Sequence, residues 1–296
     1  MLSSEAMISK LEGTGDYKVL RRLLVHDHYD HRLPDDEIRN GIVLDVETTG
    51  LDTNHDAIIE IALVPFTFSS DGRLFDVGAA YHGFQEPPEP LSEEIVALTG
   101  LTDEVLKGQS INLPDLEQAV ESAHLIVAHN AGFDRLFSER LSPCFMRKAW
   151  ACSLKEVPWK AEGFRHASLE YIAYGMGFFF DGHRAENDCR TALELLSKPL
   201  PVSGKTGFDM LLDSARKPTI RVWAEGSPFD TKDQLKRRGY RWSNGDDGRL
   251  KSWYKDVHEE EAEAEKSWLE EEIYGRSTSI FTTRITAFDR YSGREG

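Results

Sequence analysis

The sequence is poor in cysteine. It holds three cysteines, Cys144, Cys152 and Cys189, and no two of them form a Cys-x-x-Cys pair. The odd number of cysteines argues against a disulfide framework, and the missing Cys-x-x-Cys spacing argues against a zinc site. Reduced thiols are typical of cytoplasmic proteins, so we expect a cytoplasmic location.

The sequence also lacks long apolar runs. No stretch is long and apolar enough to span a bilayer, and Glu5 interrupts the one N-terminal run that could form a signal core. Hydrophobic residues make up 40% and charged residues 29% of the 296 residues, which is typical of a globular protein of one large or two modest domains. We therefore predict a soluble protein without a membrane partner.

Basic residues are outnumbered. The chain has 35 Lys and Arg residues against 51 Asp and Glu residues, a formal net charge of -16. This charge argues against a wholly basic nucleic-acid coat protein. It leaves open an enzyme whose acidic site carries metal ions.

The most informative stretch is residues 41–52, which reads Gly-Ile-Val-Leu-Asp-Val-Glu-Thr-Thr-Gly-Leu-Asp. Its apolar start predicts a buried strand, and side chains at alternate strand positions share one face, so Asp45 and Glu47 should point the same way. Two buried carboxylates repel each other unless a cation neutralises them, and Mg²⁺ prefers such oxygen ligands. The alternative is that both residues simply end a strand before a turn.

Two later segments place further polar residues in similar positions. The apolar strand predicted at residues 125–128 runs into His129-Asn130-Ala131-Gly132-Phe133-Asp134, where helical spacing begins. The end of a strand is the usual ligand position in an α/β sheet. Further on, His183 precedes a predicted helix that contains Asp188. Four carboxylates and one histidine thus occur in matching local contexts.

These motifs resemble those of the DEDD exonucleases, in the histidine-containing subclass that includes the epsilon proofreading subunit of bacterial DNA polymerase III and ribonuclease T. The resemblance covers roughly residues 40–198 and rests on four segments: Leu44-Asp45-Val46-Glu47-Thr48-Thr49-Gly50, Leu98-Thr99-Gly100-Leu101-Thr102-Asp103-Glu104, Ala128-His129-Asn130-Ala131-Gly132-Phe133-Asp134 and His183-Arg184-Ala185-Glu186-Asn187-Asp188. It implies an α/β fold with a ribonuclease H-like mixed sheet and flanking helices. It also implies release of nucleoside monophosphates from a 3′ end.

The resemblance assigns a role to each residue. Asp45, Glu47 and Asp188 would hold one divalent cation, Mg²⁺ or Mn²⁺, and Asp45 would bridge to a second that Asp134 contacts through water. His183 would be the general base. Residues expected against the terminal nucleotide are Thr48, Thr49, Leu51 and Asn130. The chemistry is consistent, because two metals can stabilise charge on both oxygens of an in-line displacement and a histidine can accept a proton near neutral pH.

We predict four parts along the chain: a lead-in at 1–40, an exonuclease domain at 41–200, a linker at 201–217 and a small α+β C-terminal unit at 218–296.

Charge is distributed unevenly between these parts. From residue 41 to 200 acidic residues outnumber basic ones 25 to 12, which should repel a polyanion, whereas from 201 to 255 there are 12 basic against 7 acidic residues. Aromatic residues alternate with cations there, as in single-strand binding surfaces. The candidate contacts are Trp223, Lys236, Arg237, Arg238, Tyr240, Arg241, Trp242, Lys251 and Trp253. The alternative is that the aromatic residues form the core of a small domain.

Three functions therefore remain open. The first is a 3′–5′ DNA exonuclease in repair or proofreading, whose partner is a nucleic acid with a free 3′ end, single-stranded DNA above all. The second is a 3′–5′ exoribonuclease, because ribonuclease T shares the same five residues. The third is a non-catalytic nucleic-acid-binding module, which the presence of all five residues disfavours. Association with a DNA polymerase is conceivable, although the sequence contains no clear clamp-binding peptide.

Overall fold

A computed structural model describes residues 3–245 and 249–294. The α-helices, in chain order, are α1 Ser4–Glu12, α2 Glu93–Thr99, α3 Asp103–Leu106, α4 Leu113–Glu121, α5 Ala131–Leu141, α6 Ser153–Glu156, α7 Leu169–Gly175, α8 Ala185–Ser197, α9 Gly207–Arg216, α10 Lys232–Arg237 and α11 Ala262–Trp268. The strands are β1 Arg21–Arg22, β2 Ile38–Thr48, β3 Ile58–Ser69, β4 Leu74–Val77, β5 Tyr81–Phe84, β6 Leu125–Ala128, β7 Ala149–Cys152, β8 Phe178–Phe179, β9 Thr219–Ala224, β10 Arg241–Trp242, β11 Trp253–His258 and β12 Thr282–Ile285. Among the described residues, no helix combines the length and hydrophobicity that crossing a membrane requires.

The larger unit is built on a six-stranded mixed sheet. Its order is β4-β3-β2-β6-β7, with β5 also paired to β3. β2 runs antiparallel to β3 and parallel to β6, so it lies at the centre of the sheet. The predicted fold class, a ribonuclease H-like mixed sheet with flanking helices, is confirmed.

The two faces of β2 are covered by different helices. Val43 belongs to the hydrophobic core that contains residues of α7, α8 and α9. Ile42 and Leu44 belong to the core on the other face, which contains residues of α4 and α5. Asp45 and Glu47 follow Val43 at alternate strand positions, so their side chains lie on the same face as that of Val43. Both carboxylates therefore face the side of the sheet that α8 covers.

Helix starts and strand ends near the site follow local sequence signals. The hydroxyls of Ser92, Thr102 and Ser168 accept the capping N–H bonds at the starts of α2, α3 and α7, in line with the preference of serine and threonine for this position. Ser3 caps α1 in the same way. After β3 the chain forms two short strands, β4 and β5, that both pair with β3.

The prediction of a linker at 201–217 is wrong. Residues 207–216 form α9, whose Phe208 is fully buried and packs edge-on against Phe66 and Phe68 of β3. Thr206 caps this helix through its hydroxyl. The core of the larger unit therefore extends past the predicted boundary at residue 200, because the apolar face of α9 completes the layer over the sheet.

The lead-in also belongs to this unit. β1 pairs in parallel with β8, and Tyr29 donates its backbone N–H to the carbonyl of Phe75. The segment 1–40 is therefore bound to the larger unit at more than one point, although its first two residues lie outside the described residues.

The smaller unit is a four-stranded antiparallel sheet in the order β10-β11-β9-β12, with α10 and α11 packed on it. β11 pairs with both β10 and β9, in each case antiparallel, so the predicted α+β character of the C-terminal unit is observed. Residues 246–248 between β10 and β11 lie outside the described residues. The acidic helical segment after β11 consists of a 3₁₀ turn at Glu259–Glu261, α11 and a π-helical end at Leu269–Tyr274.

After β12 the chain returns to the larger unit. We call residues 286–294 the C-terminal strap. Within the strap, the carbonyl of Ala287 accepts the backbone N–H of Trp150 at 2.8 Å. The fully buried guanidinium of Arg135 on α5 donates to the carbonyls of Phe288 and Arg290, both at 2.6 Å. The strap thus fastens the small unit to the helix that follows β6.

Candidate active site

Asp45 and Glu47 lie near the end of the central strand. The strand is fully buried from Ile42 to Leu44, and Thr48 then meets a register shift against β3. Both acidic side chains are half-buried. Their alternate spacing places the two carboxylates side by side on the face that α8 covers.

Asp134 comes from the first turn of α5, directly after β6. The turn between them is made by Asn130, whose φ of 111° lies in the left-handed region that asparagine tolerates better than most residues. Asp134 is 3% exposed, and its carboxylate accepts the N–H of Val46 at 3.3 Å. This bond ties the start of α5 to the strand segment between Asp45 and Glu47.

Asp188 comes from the first turn of α8, which packs across β2 and β3. Its carboxylate accepts the N–H of Arg184 at 3.2 Å, an arrangement that fixes the helix start, and the residue is 9% exposed. His183 precedes that start with a φ of 59°. Its side chain is 47% exposed, and its Nε2 lies 3.8 Å from Oε1 of Glu170 on α7.

The structure brings the five predicted residues into one cavity of ≈ 680 Å³. Carboxylate oxygens of Asp45, Glu47 and Asp188 all lie within 4.8 Å of one another. Asp134 and His183 line the same cavity. Three segments far apart in sequence therefore converge on one small volume.

The carboxylates are under electrostatic strain. Burial, reinforced by repulsion from Asp188, raises the pKa of Glu47 to about 8, and burial raises the pKa of Asp134 to about 7. Burial together with the charge of Glu170 raises the pKa of Asp188 to about 7, and burial with its acidic neighbours raises the pKa of Asp45 well above its ordinary range. Such a cluster favours a bound cation, because a positive charge removes the repulsion.

The donor set fits hard divalent cations. All four acidic residues offer oxygen ligands, and no cysteine belongs to the cluster of ligand atoms found among the described residues. Oxygen-only ligation is the preference of Mg²⁺ and Mn²⁺. Asp45, Glu47 and Asp188 are the residues placed to hold such an ion.

The predicted nucleotide-binding residues fall into two groups. Leu51, which is 84% exposed, and Asn130 line the cavity. The hydroxyl of Thr48 donates to the carbonyl of Gly50 at 2.6 Å, and that of Thr49 donates to Asp56 at 2.9 Å. Both threonine hydroxyls thus shape the turn after β2.

Sequence reasoning missed Glu60 on β3. It lies opposite Glu47 in the strand register, is 1% exposed, and binds Arg184 at 3.2 Å and His82 at 2.6 Å. The one signal was a lone glutamate in the apolar run Ile58–Phe68. Glu170 was also missed, although it lies in the first turn of α7, whose start the capping residue Ser168 marks in the sequence.

The predicted contacts in the small unit are not equivalent. Trp223 is fully buried with its Nε1 on Thr283, and Tyr240 is 3% exposed and stacked on Trp268, so neither offers a free face to a base. We remove both from the predicted contacts, because they form the core of this unit. The residues that remain accessible are Lys236, Arg237, Arg238, Arg241, Trp242, Lys251 and, half-buried, Trp253.

A sequence model of the exonuclease family that includes ribonuclease T matches residues 42–196. The chain belongs to this exonuclease family. The matched segment starts on β2 and ends in α8, and it contains all four carboxylates and His183. The predicted membership of an exonuclease family is confirmed.

Two curated relatives are DNA polymerase III enzymes of the PolC type. The chain is 41% identical over 102 residues to that of Halalkalibacterium halodurans, covering 32% of this chain and 6% of the polymerase. It is 32% identical over 177 residues to that of Thermotoga petrophila, covering 57% of this chain and 12% of the polymerase. The chain thus spans only a small part of the length of these relatives.

The fold also resembles that of exonuclease I. A solved structure of that enzyme, described as suggesting how processivity is achieved, covers 74% of this chain and 62% of its own, with 15% identity and a TM-score of 0.50. At this identity the likeness concerns the fold alone. It agrees with the mixed sheet and flanking helices observed here.

Proposed function

We propose that the protein removes nucleoside monophosphates from the 3′ end of DNA, in repair or proofreading, with two divalent cations, Mg²⁺ or Mn²⁺. The observation that carries this proposal is the convergence of Asp45, Glu47 and Asp188 within 4.8 Å in a cavity that Asp134 and His183 also line. A structural role alone does not account for so many carboxylates at one strand end, since burial without a cation is unfavourable for each of them.

Asp45, Glu47 and Asp188 would hold one cation, and Asp45 with Asp134 would approach the second. Bound divalent cations supply charge neutralisation of the scissile phosphate and a lowered pKa of the attacking water. The protein contributes by holding the four carboxylates in defined positions. The Val46 N–H fixes Asp134 and the Arg184 N–H fixes Asp188, so both carboxylates are oriented before a substrate arrives.

His183 is the proposed general base. Its imidazole lies at the accessible side of the cavity, and its position is set by a left-handed backbone conformation just before α8. Glu170, 3.8 Å from Nε2, stabilises the imidazolium that forms when the proton is accepted. Leu51 and Asn130, which line the same cavity, are proposed to contact the terminal nucleotide.

DNA is the proposed substrate because the curated relatives are DNA polymerases. Their similarity to this chain also supports a proposed association with a polymerase. The three cysteines are free, which supports a cytoplasmic location as part of the proposal. An exoribonuclease would use the same five residues, so RNA is the alternative substrate.

The test is a degradation assay on 5′-labelled single-stranded DNA and RNA of one sequence, with Mg²⁺, Mn²⁺ or EDTA. We expect a metal-dependent ladder that shortens from the 3′ end on DNA and is much weaker on RNA. The reverse preference would transfer the function to RNA processing. If the folded protein degraded neither DNA nor RNA with either metal, the protein would instead be a non-catalytic nucleic-acid-binding module. A pull-down with purified polymerase tests the association separately.

A further inference from the structure

A second cavity, of ≈ 340 Å³, lies where the two units meet. Residues of α6 and of the end of α9 form one wall, β9 to β12 form another, and the strap closes the third. Six cations line it: Lys155, Lys217, Arg221, Arg241, Arg249 and Arg290. We refer to it as the basic cavity.

The acidic residues of the basic cavity hold its cations in place. Of its described lining residues, only Glu156 and Asp256 carry a carboxylate. Glu156 binds Arg290 at 3.0 Å and accepts the Tyr291 hydroxyl at 2.9 Å. Asp256 binds Arg221 at 2.7 Å and Arg241 at 2.9 Å. Glu156 and Asp256 bind the arginines Arg290, Arg221 and Arg241, whereas the two exposed lysines of the lining, Lys155 and Lys217, bind neither carboxylate. These two lysines make the described lining positive, in a chain whose net charge is -16.

The basic cavity adjoins the candidate active site. Leu154 lines the cavity that contains Asp45, and its neighbour Lys155 lines the basic cavity. A Cβ built on Gly132, two residues before Asp134, would lie 3.5 Å from Nζ of Lys155 and 3.9 Å from the ring of Tyr291. Lys155 and Tyr291 thus form the boundary between the two cavities.

We propose that the basic cavity binds backbone phosphates of the same nucleic-acid strand whose 3′ end occupies the active site. The inference rests on the proposed function. The larger unit carries 25 acidic against 12 basic residues between 41 and 200, and such a surface repels a polyanion away from the metal ions. A positive wall next to the site supplies the missing attraction, and phosphate is the group that arginine and lysine clusters bind best.

Both units contribute to the basic cavity, so neither makes it alone. Lys155 and Lys217 come from the larger unit, and Arg221, Arg241 and Arg249 come from the smaller one. Removal of residues 218–296 would also remove the strap that Arg135 holds, so truncation would disturb the larger unit. Point substitutions in the full chain are therefore the proper test.

The first variant is Lys155→Gln with Lys217→Gln, and its matched control is Lys107→Gln with Lys160→Gln. All four lysines are exposed, so both variants keep the fold and change the net charge equally. A third variant, Arg241→Gln, tests the wall formed by the smaller unit. Binding of a labelled 20-nucleotide DNA strand is measured in EDTA, which prevents hydrolysis, over a series of salt concentrations.

We expect the Lys155/Lys217 variant to bind the strand about tenfold more weakly than the control at moderate salt. We also expect the plot of log K against log salt to become less steep by about 1.4, which is about 0.7 for each lost phosphate contact. Arg241→Gln should lower the slope by about half as much. Equal affinities and slopes for the variant and its control would overturn the proposal.

Two further measurements separate the alternatives. Deoxythymidine monophosphate and inorganic phosphate are titrated against the same variants. If the Lys155/Lys217 variant loses binding of the monophosphate but keeps binding of the strand, the basic cavity is a mononucleotide site and the proposal is wrong. Degradation by the wild-type protein is measured separately. A wild type that binds the strand through these lysines but degrades nothing would overturn the proposed function while supporting the basic cavity as a strand site.

Discussion

Glu60 lies opposite Glu47 in the register between β3 and β2, and its carboxylate binds the guanidinium of Arg184 at 3.2 Å. It also accepts the N–H of Ala185, the first residue of α8, at 3.4 Å. Arg184 lies between His183 and the helix that carries Asp188. One buried carboxylate on the sheet thus determines where the start of α8 lies, and with it two of the five candidate catalytic residues.

Replacing Glu60 by Gln should therefore impair the site without removing any proposed ligand. The variant loses the charged partner of Arg184 and His82, so we expect the free energy of unfolding to fall by about 1–3 kcal/mol. We expect kcat to fall by about tenfold with little change in KM, because a shift of α8 moves His183 and Asp188 but not the surface that binds the strand. Glu89→Gln, in an exposed loop, is the control. If Glu60→Gln kept the stability and the kcat of the wild type, the position of α8 would not depend on the charge of this carboxylate.

The repulsion within the acidic cluster predicts opposite effects of one substitution on stability and activity. Asp45→Asn removes a buried ionisable group whose burial beside Glu47 and Asp188 disfavours folding near neutral pH, so the metal-free protein should unfold at a temperature a few degrees higher than the wild type. Metal-dependent hydrolysis should be lost, and the rise in melting temperature on addition of Mg²⁺ should shrink. Thermal unfolding in EDTA and in Mg²⁺, together with the degradation assay, measures all three. Near-normal hydrolysis by Asp45→Asn would refute the assignment of this site.

The raised pKa values predict how the metal-free protein responds to pH. Glu47 has a pKa of about 8, and Asp134 and Asp188 have pKa values of about 7, whereas unfolded carboxyls titrate near about 4. The folded state thus holds protons that the unfolded state releases. This stabilisation is fully present below about pH 4 and is lost as the pH rises through 7 to 8.

We therefore expect the melting temperature in EDTA to fall between about pH 5 and pH 8, and saturating Mg²⁺ to remove most of that decrease, because a bound cation favours the ionised carboxylates. Glu47→Gln, which removes the group with the highest of the three values, should flatten the profile at its alkaline end. A melting temperature that stays constant or rises over this range in EDTA would contradict the ionisation states assigned to the cluster.

The site was predictable because its signals are local. Asp45 and Glu47 are two residues apart on a strand, and strand geometry alone places them side by side. Asp134 and Asp188 each follow a recognisable helix start. Such patterns do not depend on how the rest of the chain packs, so the family resemblance and the fold class both follow from short segments.

What could not be predicted depends on distant contacts. Glu60 is one polar residue in an apolar strand, and only the register with β2 shows that it faces Glu47. Phe208, Leu211, Leu212 and Ala215 have helical spacing after the Thr206 cap, a local signal that the linker prediction overlooked. Only the packing of Phe208 on Phe66 shows that α9 belongs to the core. The burial of Trp223 and the return of the strap to Arg135 likewise follow from tertiary packing, and no local pattern in the sequence specifies them.

His183→Ala tests the proposed base apart from the metal ligands. The imidazole is the group placed to accept a proton at the accessible side of the cavity, and general base catalysis contributes about 10²–10⁴-fold, so kcat should fall by that factor. Binding of Mg²⁺, measured through the rise in melting temperature, should stay close to the wild-type value, because Asp45, Glu47 and Asp188 remain. As the control, His55→Ala changes a histidine that is exposed on the loop after β2 and binds Asp52. If His183→Ala kept the wild-type kcat, another group would have to accept the proton.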